Sequence, residues 1–380
     1  MGSRFAVRGR LVVDGRLVPG AVVVEGGLIK EVQRGEPAAG NLPAEVFTAS
    51  VVAPGYIDLQ VNGGFGFEVG TDPEALRGLG AALPRTGVTT WLPTVVSSEP
   101  HVYPQAFAAF VAAKGAPGAM APGLHIEGPF LSPERKGAHR ISVIESAPAS
   151  LLDTWLACPD VRIVTLAPER PGAAERTQRL RERGVVVSLG HTNATYDEFR
   201  AGIAAGATLV THLFSAMSPF HHRTPGAAGA ALTDERVSVG LIVDGIHCHP
   251  ASVRLALKAK GVERAFLVSD MIAGAGLGAG AYTLGGQVVQ VDATSARLAD
   301  GTLAGSVLTM DQAVRNMVNL AEGTVAEACR MAAEVPARMV GLATKGRLAP
   351  GCDADLVLLD EELRVRATYV GGKSAFTAAA

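Results

Sequence analysis

Residues 184–213 read GVVVSLGHTNATYDEFRAGIAAGATLVTHL, and this stretch decides the fold. Two apolar, β-branched runs, at 184–191 and 207–213, enclose a segment of helical character at 195–205. A strand, a helix and a second strand in this order predict a βαβ unit with parallel strands. The runs carry His191 and His212 at or near their ends, so two imidazoles are expected at one edge of a parallel sheet.

The same alternation extends on both sides of this unit. Six further apolar runs are typical of strands, at 54–61, 89–95, 122–128, 161–167, 238–244 and 265–270. Helical segments are clearest at 73–85, 102–114, 173–183, 195–205 and 249–260. Eight parallel strands that alternate with helices predict an α/β protein with a (β/α)8 TIM-like barrel. Counting runs leaves a doubly wound sheet open as an alternative.

The two ends of the chain have a different pattern. Residues 4–34 alternate Val-rich runs with Gly-containing turns, and the tail KGRLAPGCDADLVLLD is also rich in strand formers. Two helices are expected before this tail, at 309–320 and 324–341. We expect the ends to form a small β-sandwich, with residues 1–52 as its N-terminal half and 343–380 as its C-terminal half, around a barrel at 53–342.

The composition excludes several classes of function. The 380 residues carry 34 Lys+Arg and 36 Asp+Glu, without basic clusters, so a nucleic-acid partner is not expected. The uncharged stretch 271–291 is rich in Gly, which predicts a loop region rather than a membrane helix. No apolar leader begins the chain, and its four cysteines are scattered, which indicates a cytoplasmic protein with reduced thiols.

Polar residues at the ends of the apolar runs are candidates for chemistry, because the active sites of such barrels lie at the carboxyl ends of the strands. Glu127, His191 and His212 end three runs, and Asp270 ends a fourth. Two histidines and one carboxylate match a catalytic zinc site with an open position. Each residue alone would more simply be a satisfied polar group, but their coincidence predicts a divalent metal.

The other histidines fit this site less well. His125 lies two residues before Glu127, so it is expected to be a deeper hydrogen-bonding neighbour on the same face of the strand. His221 and His222 lie in a polar loop and are expected to be solvated. His101 and His249 are expected at helix starts or on the surface.

Six segments carry a specific resemblance. They are PGYIDLQVNGGFG, GLHIEGPFLSPERKGAHR, VSLGHTNATYDEFRAGIAAGATLVTHLFSAMSPFHHRTPG, LIVDGIHCHP, LVSDMIAGAG and DGTLAGSVLTMDQAVRN. In order and spacing, from about residue 50 to 360, they resemble the N-acetylglucosamine-6-phosphate deacetylases of the amidohydrolase superfamily.

The resemblance implies a role for individual residues. Glu127, His191 and His212 would bind one divalent metal per chain, for which zinc is favoured and Fe²⁺, Mn²⁺ or Co²⁺ would serve. Asp270 would be the catalytic acid and base, and His139 would polarise the acetamide carbonyl. The substrate site would be lined by Ala138, His139, Ser215, Ala216, Arg223, Asp244, Gly245, Ile246, His247, Leu303, Ala304 and Gly305.

The chain departs from the superfamily pattern at two metal positions. Many members carry His-x-His at the end of the first strand and a carbamylated Lys on the fourth, whereas this chain has Gln60-Val61-Asn62 and no Lys. Amides bind zinc poorly, so one tight metal is expected, and any second ion at Gln60 and Asn62 would be weak. Ser215 also stands where the family often has Asn.

The implied reaction is hydrolysis of N-acetyl-D-glucosamine 6-phosphate to glucosamine 6-phosphate and acetate. A metal-bound water would attack, Asp270 would move the proton, and Arg223 would bind the phosphate. Asp244 would at least orient its loop. The resemblance also implies a homodimer, in which the loop bearing Arg223 could reach a neighbouring site.

Three alternatives stay open at this point. The substrate could be another N-acyl amino-sugar phosphate, such as the galacto epimer. Two histidines and a carboxylate also form the iron triad of oxygenases, although that triad does not require Asp270. A barrel of this superfamily could be a non-enzymatic binding protein, although all of the ligand positions and the acid/base are present here.

Overall fold

A computed structural model describes residues 4–36 and 42–379 of the chain. The first four strands of the described residues belong to one sheet. They are β1 (Arg4–Val13), β2 (Arg16–Glu25), β3 (Leu28–Arg34) and β4 (Val46–Pro54). Asp14 and Gly15, with φ of 52° and 70°, form the tight turn between β1 and β2, as the twist of a hairpin requires. The expected N-terminal unit also covers 1–3 and 37–41, and the tail covers 380, which lie outside the described residues.

Eight parallel strands form the central sheet. They are β5 (Tyr56–Val61), β8 (Val88–Val96), β9 (Leu124–Glu127), β10 (Val161–Leu166), β11 (Val186–Leu189), β12 (Leu209–Val210), β13 (Ser238–Leu241) and β14 (Ala265–Leu267). A small hairpin, β6 (Gly63–Gly64) and β7 (Phe67–Glu68), follows β5. Every run expected to be a strand overlaps one of the eight.

The central sheet closes into a barrel. Its strands are hydrogen-bonded in chain order from β5 to β14. A bridge between Val61 and Met271 joins the two ends, and Asp270 donates its backbone N–H to the carbonyl of Gln60 at 2.9 Å. The predicted (β/α)8 barrel is therefore confirmed, and the doubly wound alternative is excluded.

Helices follow the strands around the barrel. They are α1 (Pro73–Ala82), α2 (Val102–Ala113), α3 (Ile141–Glu145), α4 (Leu151–Ala157), α5 (Ala173–Glu182), α6 (Tyr196–Ala205), α7 (Gly226–Thr233) and α8 (Pro250–Lys260). Helix α6 begins where Thr195 and Glu198 form a capping box, and it ends at Gly206 with φ of 119°. These local signals fix the helix between the two histidine-bearing strands.

The segment after β14 departs from the expectation of a loop over 271–291. It contains β15 (Gly280–Leu284) and β16 (Gln287–Val291), followed by the short β17 (Ala296–Arg297). Gly285 and Gly286, with φ of 57° and 79°, form the turn between two alternating runs. The loop prediction was wrong here because it gave weight to the glycines and not to this alternation.

The C-terminal region contains α9 (Met310–Asn319), α10 (Val325–Ala332) and α11 (Glu334–Met339). The single helix expected over 324–341 is divided at Ala333, which has φ of −133° and ψ of −68°. Pro336 has no N–H to donate to the preceding turn, which explains the break. The strands β18 (Leu356–Leu359), β19 (Val365–Val370) and β20 (Lys373–Thr377) follow.

The two ends of the chain pack together. The first sheet has the order β20-β19-β18-β4-β1-β2-β3, and Leu28 of the edge strand β3 bridges Asp353, which lies just before β18. The rings of Phe5 and Tyr369 lie 5.1 Å apart over a shared core. The expected small β-sandwich of both ends is thus confirmed, while the boundaries at 52/53 and 342/343 stay a prediction. Within 4–36 and 42–379, no helix is long and apolar enough to cross a membrane.

Candidate active site

A cavity of about 400 Å³ opens at the carboxyl ends of the barrel strands. Sequence-predicted residues that line it are Asn62, Glu127, Ala138, His139, His191, His212, Ser215, Ala216, His247, Asp270, Leu303 and Gly305. They come from the ends of different strands and from the loops that follow them, as is usual for catalytic residues in this fold. The fold therefore brings most of the predicted site into one place.

Glu127, His191 and His212 meet at the base of this cavity. Glu127 is the last residue of β9, and each histidine lies two residues beyond its strand. Oε1 of Glu127 is 3.3 Å from Nε2 of His191 and 3.2 Å from Nε2 of His212. The two Nε2 atoms are 3.1 Å apart. One oxygen and two nitrogens thus surround a single point.

The backbone turns sharply at these strand ends. His191, His212 and Asp270 have φ of 47°, 26° and 50°, in the left-handed region that residues other than glycine rarely adopt. Such strain persists only where the surrounding structure enforces it, and it clusters at functional sites. The three conformations therefore support a functional assignment independently of the side chains.

In this cluster, the pKa values of Glu127 and His212 are shifted by their neighbours. Although burial opposes the shift, hydrogen bonds from His191 and His212 hold the pKa of the Glu127 carboxyl well below its usual range. Burial would lower the pKa of His212, but the hydrogen bond and the charge of Glu127 outweigh burial and raise it. The carboxylate is therefore kept anionic and available to a cation.

The position of the proton on the His191 ring favours a cation at the point between the three donor atoms. Its Nδ1 lies 2.9 Å from the carbonyl oxygen of Arg135, which can only accept, so Nδ1 carries a proton. A second proton, on Nε2, would donate to Oε1 of Glu127. In the neutral ring that proton is absent, and Nε2 presents a lone pair towards Oε1. Two lone pairs that face each other repel, and a metal ion between them would remove that repulsion. The donor set fits a divalent metal.

His139 lies beside this cluster with a different orientation. Glu127, His139 and His191 each place a potential ligand atom within 4.8 Å of the others. However, the backbone N–H of Ser97 donates to Nδ1 of His139 at 3.3 Å, so Nε2 carries the ring proton. Burial, reinforced by the nearby His191, lowers the pKa of His139 to about 3. His139 is thus a neutral donor beside the cluster rather than a ligand.

Asp270 faces the cavity with one oxygen held by two amides. Its Oδ1 accepts hydrogen bonds from Nδ2 of Asn62 at 2.7 Å and from Nε2 of Gln60 at 3.0 Å. Burial and the charge of Glu127 raise the pKa of Asp270 to about 6, against the opposing effects of His212 and Asn62. A carboxyl group with this pKa can both take and return a proton near neutral pH.

The loop after β13 is organised by Asp244. Its Oδ1 accepts the backbone N–H groups of Ile246 and His247, both at 2.8 Å, and its Oδ2 lies 2.6 Å from Nδ1 of His247. His247 lines the cavity, whereas Asp244, Gly245 and Ile246 do not. Asp244 thus orients the loop that presents His247.

Two of the remaining assignments, Arg223 and Ala304, differ in position, and His125 lies where it was expected. Arg223 is exposed and does not line the cavity of its own chain. Ala304 is buried in a small apolar cluster beneath the cavity wall. His125 is buried, with Nδ1 2.9 Å from the carbonyl of Leu59 and Nε2 2.8 Å from Oγ1 of Thr165, as expected for a deeper neighbour.

Several cavity residues were not found from the sequence. They are Val96, Ser97, Glu134, Arg135, Gly137, Arg140, Leu284, Gly285, Gln287 and Thr302. Gln287 reaches the cavity because its hairpin folds over the mouth, where its side chain donates to the carbonyl of Ala138. The only available signal was the hairpin pattern around Gly285-Gly286, which locates strands but not their position over the barrel.

The model of the amidohydrolase family matches residues 51–378. An N-acetylglucosamine-6-phosphate deacetylase of Mus musculus is 42% identical over 340 residues, which cover 85% of this chain and 83% of the relative. An N-acetylgalactosamine-6-phosphate deacetylase of Escherichia coli is 40% identical over 333 residues, with 86% of this chain and 88% of the relative covered. The family match thus includes the barrel and the strands β18 to β20 of the flanking sheet.

Solved structures agree with the sequence relatives. A mutant N-acetyl-D-glucosamine-6-phosphate deacetylase from Mycobacterium smegmatis, in complex with N-acetyl-D-glucosamine-6-phosphate, superposes with a TM-score of 0.93. It is 35% identical, and the match covers 99% of this chain and 100% of that chain. The described residues, in the barrel and in the flanking sheet, are therefore built like a solved deacetylase.

Proposed function

This chain belongs to the amidohydrolase family, and we propose that it hydrolyses the acetamide of N-acetyl-D-glucosamine 6-phosphate to glucosamine 6-phosphate and acetate. That it is an amide-hydrolysing deacetylase follows from the family and its relatives. The observation that carries the proposal is the convergence of Glu127, His191, His212, His139 and Asp270 on one cavity.

We propose that Glu127, His191 and His212 hold one divalent ion, with zinc favoured over Fe²⁺, Mn²⁺ or Co²⁺. Ligands at about 2.0 to 2.1 Å from a tetrahedral ion stand about 3.3 Å from one another. The 3.1, 3.2 and 3.3 Å separations of the three donor atoms support this arrangement. When bound, such an ion supplies Lewis-acid polarisation of a carbonyl and lowers the pKa of water.

His139 stabilises the carbonyl oxygen in this proposal. Its protonated Nε2 lies 4.0 Å from Oε2 of Glu127, at the wall of the site. A neutral N–H that is already aimed at the reacting carbonyl stabilises the negative charge that develops on oxygen during attack. The low pKa of His139 keeps the ring from carrying a proton on both nitrogens.

Asp270 moves the proton. An amide has a poor leaving group, so the departing nitrogen must be protonated as the C–N bond breaks. Asp270 accepts a proton from the attacking water and then delivers it to that nitrogen. Acetic acid leaves with the water's oxygen and loses its remaining proton to solvent to give acetate. This role of a positioned acid and base is typically worth about 10²- to 10⁴-fold in rate.

The phosphate is assigned to the side of the cavity formed by Ser215, Ala216 and His247. We propose that Arg223 completes this site from the neighbouring subunit of a homodimer, because it lies on the surface of its own chain and outside its own cavity. A guanidinium group can bind phosphate with two parallel charged hydrogen bonds. A phosphorylated sugar does not cross a bilayer unaided, so we propose a cytoplasmic location.

A second candidate substrate is N-acetyl-D-galactosamine 6-phosphate. It is favoured by the 40% identical Escherichia coli relative, which carries that activity in its name. The two sugars differ in the orientation of one hydroxyl group, and both present the same acetamide and phosphate. The chemistry proposed for Asp270 and His139 is the same for both.

The test is acetate release from each of the two sugar phosphates by purified protein of known metal content. Activity should disappear after chelation and return with zinc at about one ion per chain. A higher kcat/KM for the gluco substrate would support the proposal, and a higher value for the galacto substrate would favour the second candidate. Metal-loaded protein that releases acetate from neither would contradict both.

A further inference from the structure

We propose that Gln60 and Asn62 are positioning residues that fix the Asp270 carboxylate, so that its Oδ2 atom carries the proton in the reaction. The inference rests on the proposed function, in which Asp270 is the base and acid. It gives a role to two amides that the sequence suggested only as weak ligands of a second ion.

The hydrogen bonds to Asp270 are unequal between its two oxygens. Oδ1 accepts from Nδ2 of Asn62 at 2.7 Å and from Nε2 of Gln60 at 3.0 Å. Among the described residues, no hydrogen bond reaches Oδ2. Because rotation of the carboxylate would break both contacts at Oδ1, the amides select the oxygen that is left for proton transfer.

Gln60 also connects the proton carrier to the metal cluster. Its Nε2 donates to Oε1 of Glu127 at 2.9 Å as well as to Asp270. A primary amide nitrogen has two protons, and both are directed at carboxylates here. Gln60 therefore sets the distance between Glu127 and Asp270.

The donors are rigid because they lie on the seam that closes the barrel. Gln60 and Asn62 are each 2% exposed. The Gln60 carbonyl accepts the backbone N–H of Asp270 at 2.9 Å, and the N–H of Asn62 donates to the carbonyl of Met271 at 3.0 Å. Donor and acceptor side chains are thus carried by two directly hydrogen-bonded segments.

The expected effect is on the chemical step. A misplacement of about 1 Å in a reacting group can cost about 10²-fold in rate. We therefore expect Asn62→Ala to lower kcat about 10- to 100-fold and to change KM by less than about 3-fold. Gln60→Ala should lower kcat in the same way and also weaken zinc affinity by about 10- to 100-fold, because it removes a hydrogen bond to a ligand.

The deciding experiment compares Asn62→Ala, Asp270→Asn and the double variant, all zinc-loaded, with N-acetylglucosamine 6-phosphate. If Asn62 acts through Asp270, the double variant should be no slower than Asp270→Asn alone. Asn319→Ala, which removes an exposed amide at the end of α9, is the control and should match the wild type. A further loss in the double variant, or unchanged kcat in Asn62→Ala, would overturn the proposal.

Two measurements keep the test independent of folding and of the substrate assignment. Asn62→Asp keeps the shape of the side chain but removes its N–H donors, so it should also lose kcat while retaining its zinc. In crystals of Asn62→Ala, the Asp270 carboxylate should be rotated relative to the wild type, and an unchanged orientation would contradict the inference. If the wild type itself releases no acetate, the proposed function fails, while this structural comparison still tests the positioning role.

Discussion

Nε2 of His191 lies 3.1 Å from Nε2 of His212, on side chains that follow two neighbouring strands of the barrel. Two imidazole nitrogens at this distance are stable when a proton or a cation lies between or beside them. Since His191 already donates its Nδ1 proton to the carbonyl of Arg135, its Nε2 is left either to accept a proton from His212 or to bind the ion proposed above. Binding of a metal ion to this pair can be measured without any substrate.

His212→Ala should abolish the stabilisation of the protein by zinc. An ion present at about 100 times its Kd stabilises the folded state by about 2.7 kcal/mol, provided that it does not bind the unfolded chain. Zinc should therefore raise the unfolding temperature of metal-free wild-type protein but not that of His212→Ala. His101→Ala, at an exposed histidine, is the control. An equal zinc effect in His212→Ala would remove His212 from the site.

Asp270→Asn should retain zinc and lose turnover. The variant keeps the shape of the side chain but cannot accept a proton, so kcat should fall about 10²- to 10⁴-fold. Metal analysis and acetate release should be measured on the same preparation. If the zinc content falls together with activity, Asp270 would instead have to be assigned as a ligand.

Arg223→Ala should raise KM for the phosphorylated substrate about 10- to 100-fold, because hydrogen bonds to charged groups contribute about 1.5 to 3 kcal/mol. The low activity expected with unphosphorylated N-acetylglucosamine should not change. Arg162→Ala, which removes an exposed arginine far from the mouth, is the control. Equal losses with both sugars would contradict the phosphate role.

Mixing two impaired variants, at a substrate concentration well below the raised KM of Arg223→Ala, tests whether Arg223 serves the neighbouring subunit. In a mixed dimer of Arg223→Ala and Asp270→Asn chains, a swapped loop would leave one intact site, and activity should return after subunit exchange. If Arg223 served its own chain, each site would carry one lesion, and the mixture would be no more active than the two variants measured separately. The measurement is acetate release before and after exchange.

Asp58 should make the protein less stable as the pH rises. Burial raises the pKa of this carboxyl to about 7, against hydrogen bonds from Ser269 and Gln60, and its Oδ2 is buried without a partner. The folded state therefore holds the proton more tightly than the unfolded chain, whose Asp pKa is about 3.9, so the free energy of unfolding falls between about pH 4 and 7.

Asp58→Asn should remove this dependence, so the variant should gain stability relative to the wild type between pH 5 and pH 8. The urea midpoints of both proteins at the two pH values provide the measurement. Glu145→Gln, at an exposed carboxylate, should show no such difference. A pH-independent gap between Asp58→Asn and wild type would disprove the burial effect.

The barrel and the base of its site could be predicted from the sequence because both depend on local signals. Each strand of the barrel is an apolar, β-branched run, and residues that end such runs must lie at the carboxyl edge. This reasoning located Glu127, His191, His212 and Asp270 without knowledge of any contact. The resemblance to the deacetylase family added His139 to this set. The role of His139 depends on a contact with a neighbouring residue, which the periodicity of the sequence does not reveal.

The rest depended on contacts between residues distant in the chain. Gln287 and Ala138 are 149 positions apart, and Gln60 and Asp270 are 210 apart, so neither hydrogen bond has a local signature. The orientation of an amide is equally invisible, and Gln60 and Asn62 were therefore considered only as ligands. The exposed position of Arg223 depends on the path of its loop, which composition does not specify.

The left-handed backbone of His191, His212 and Asp270 implies a trade-off between stability and activity. Each such residue costs on the order of 1 to 3 kcal/mol relative to a relaxed conformation. Glycine would adopt the same backbone without this cost, but it would remove the donor atom or the proton carrier. The most stable sequence for this barrel and its most active sequence are therefore different, and they differ at the residues that perform the chemistry.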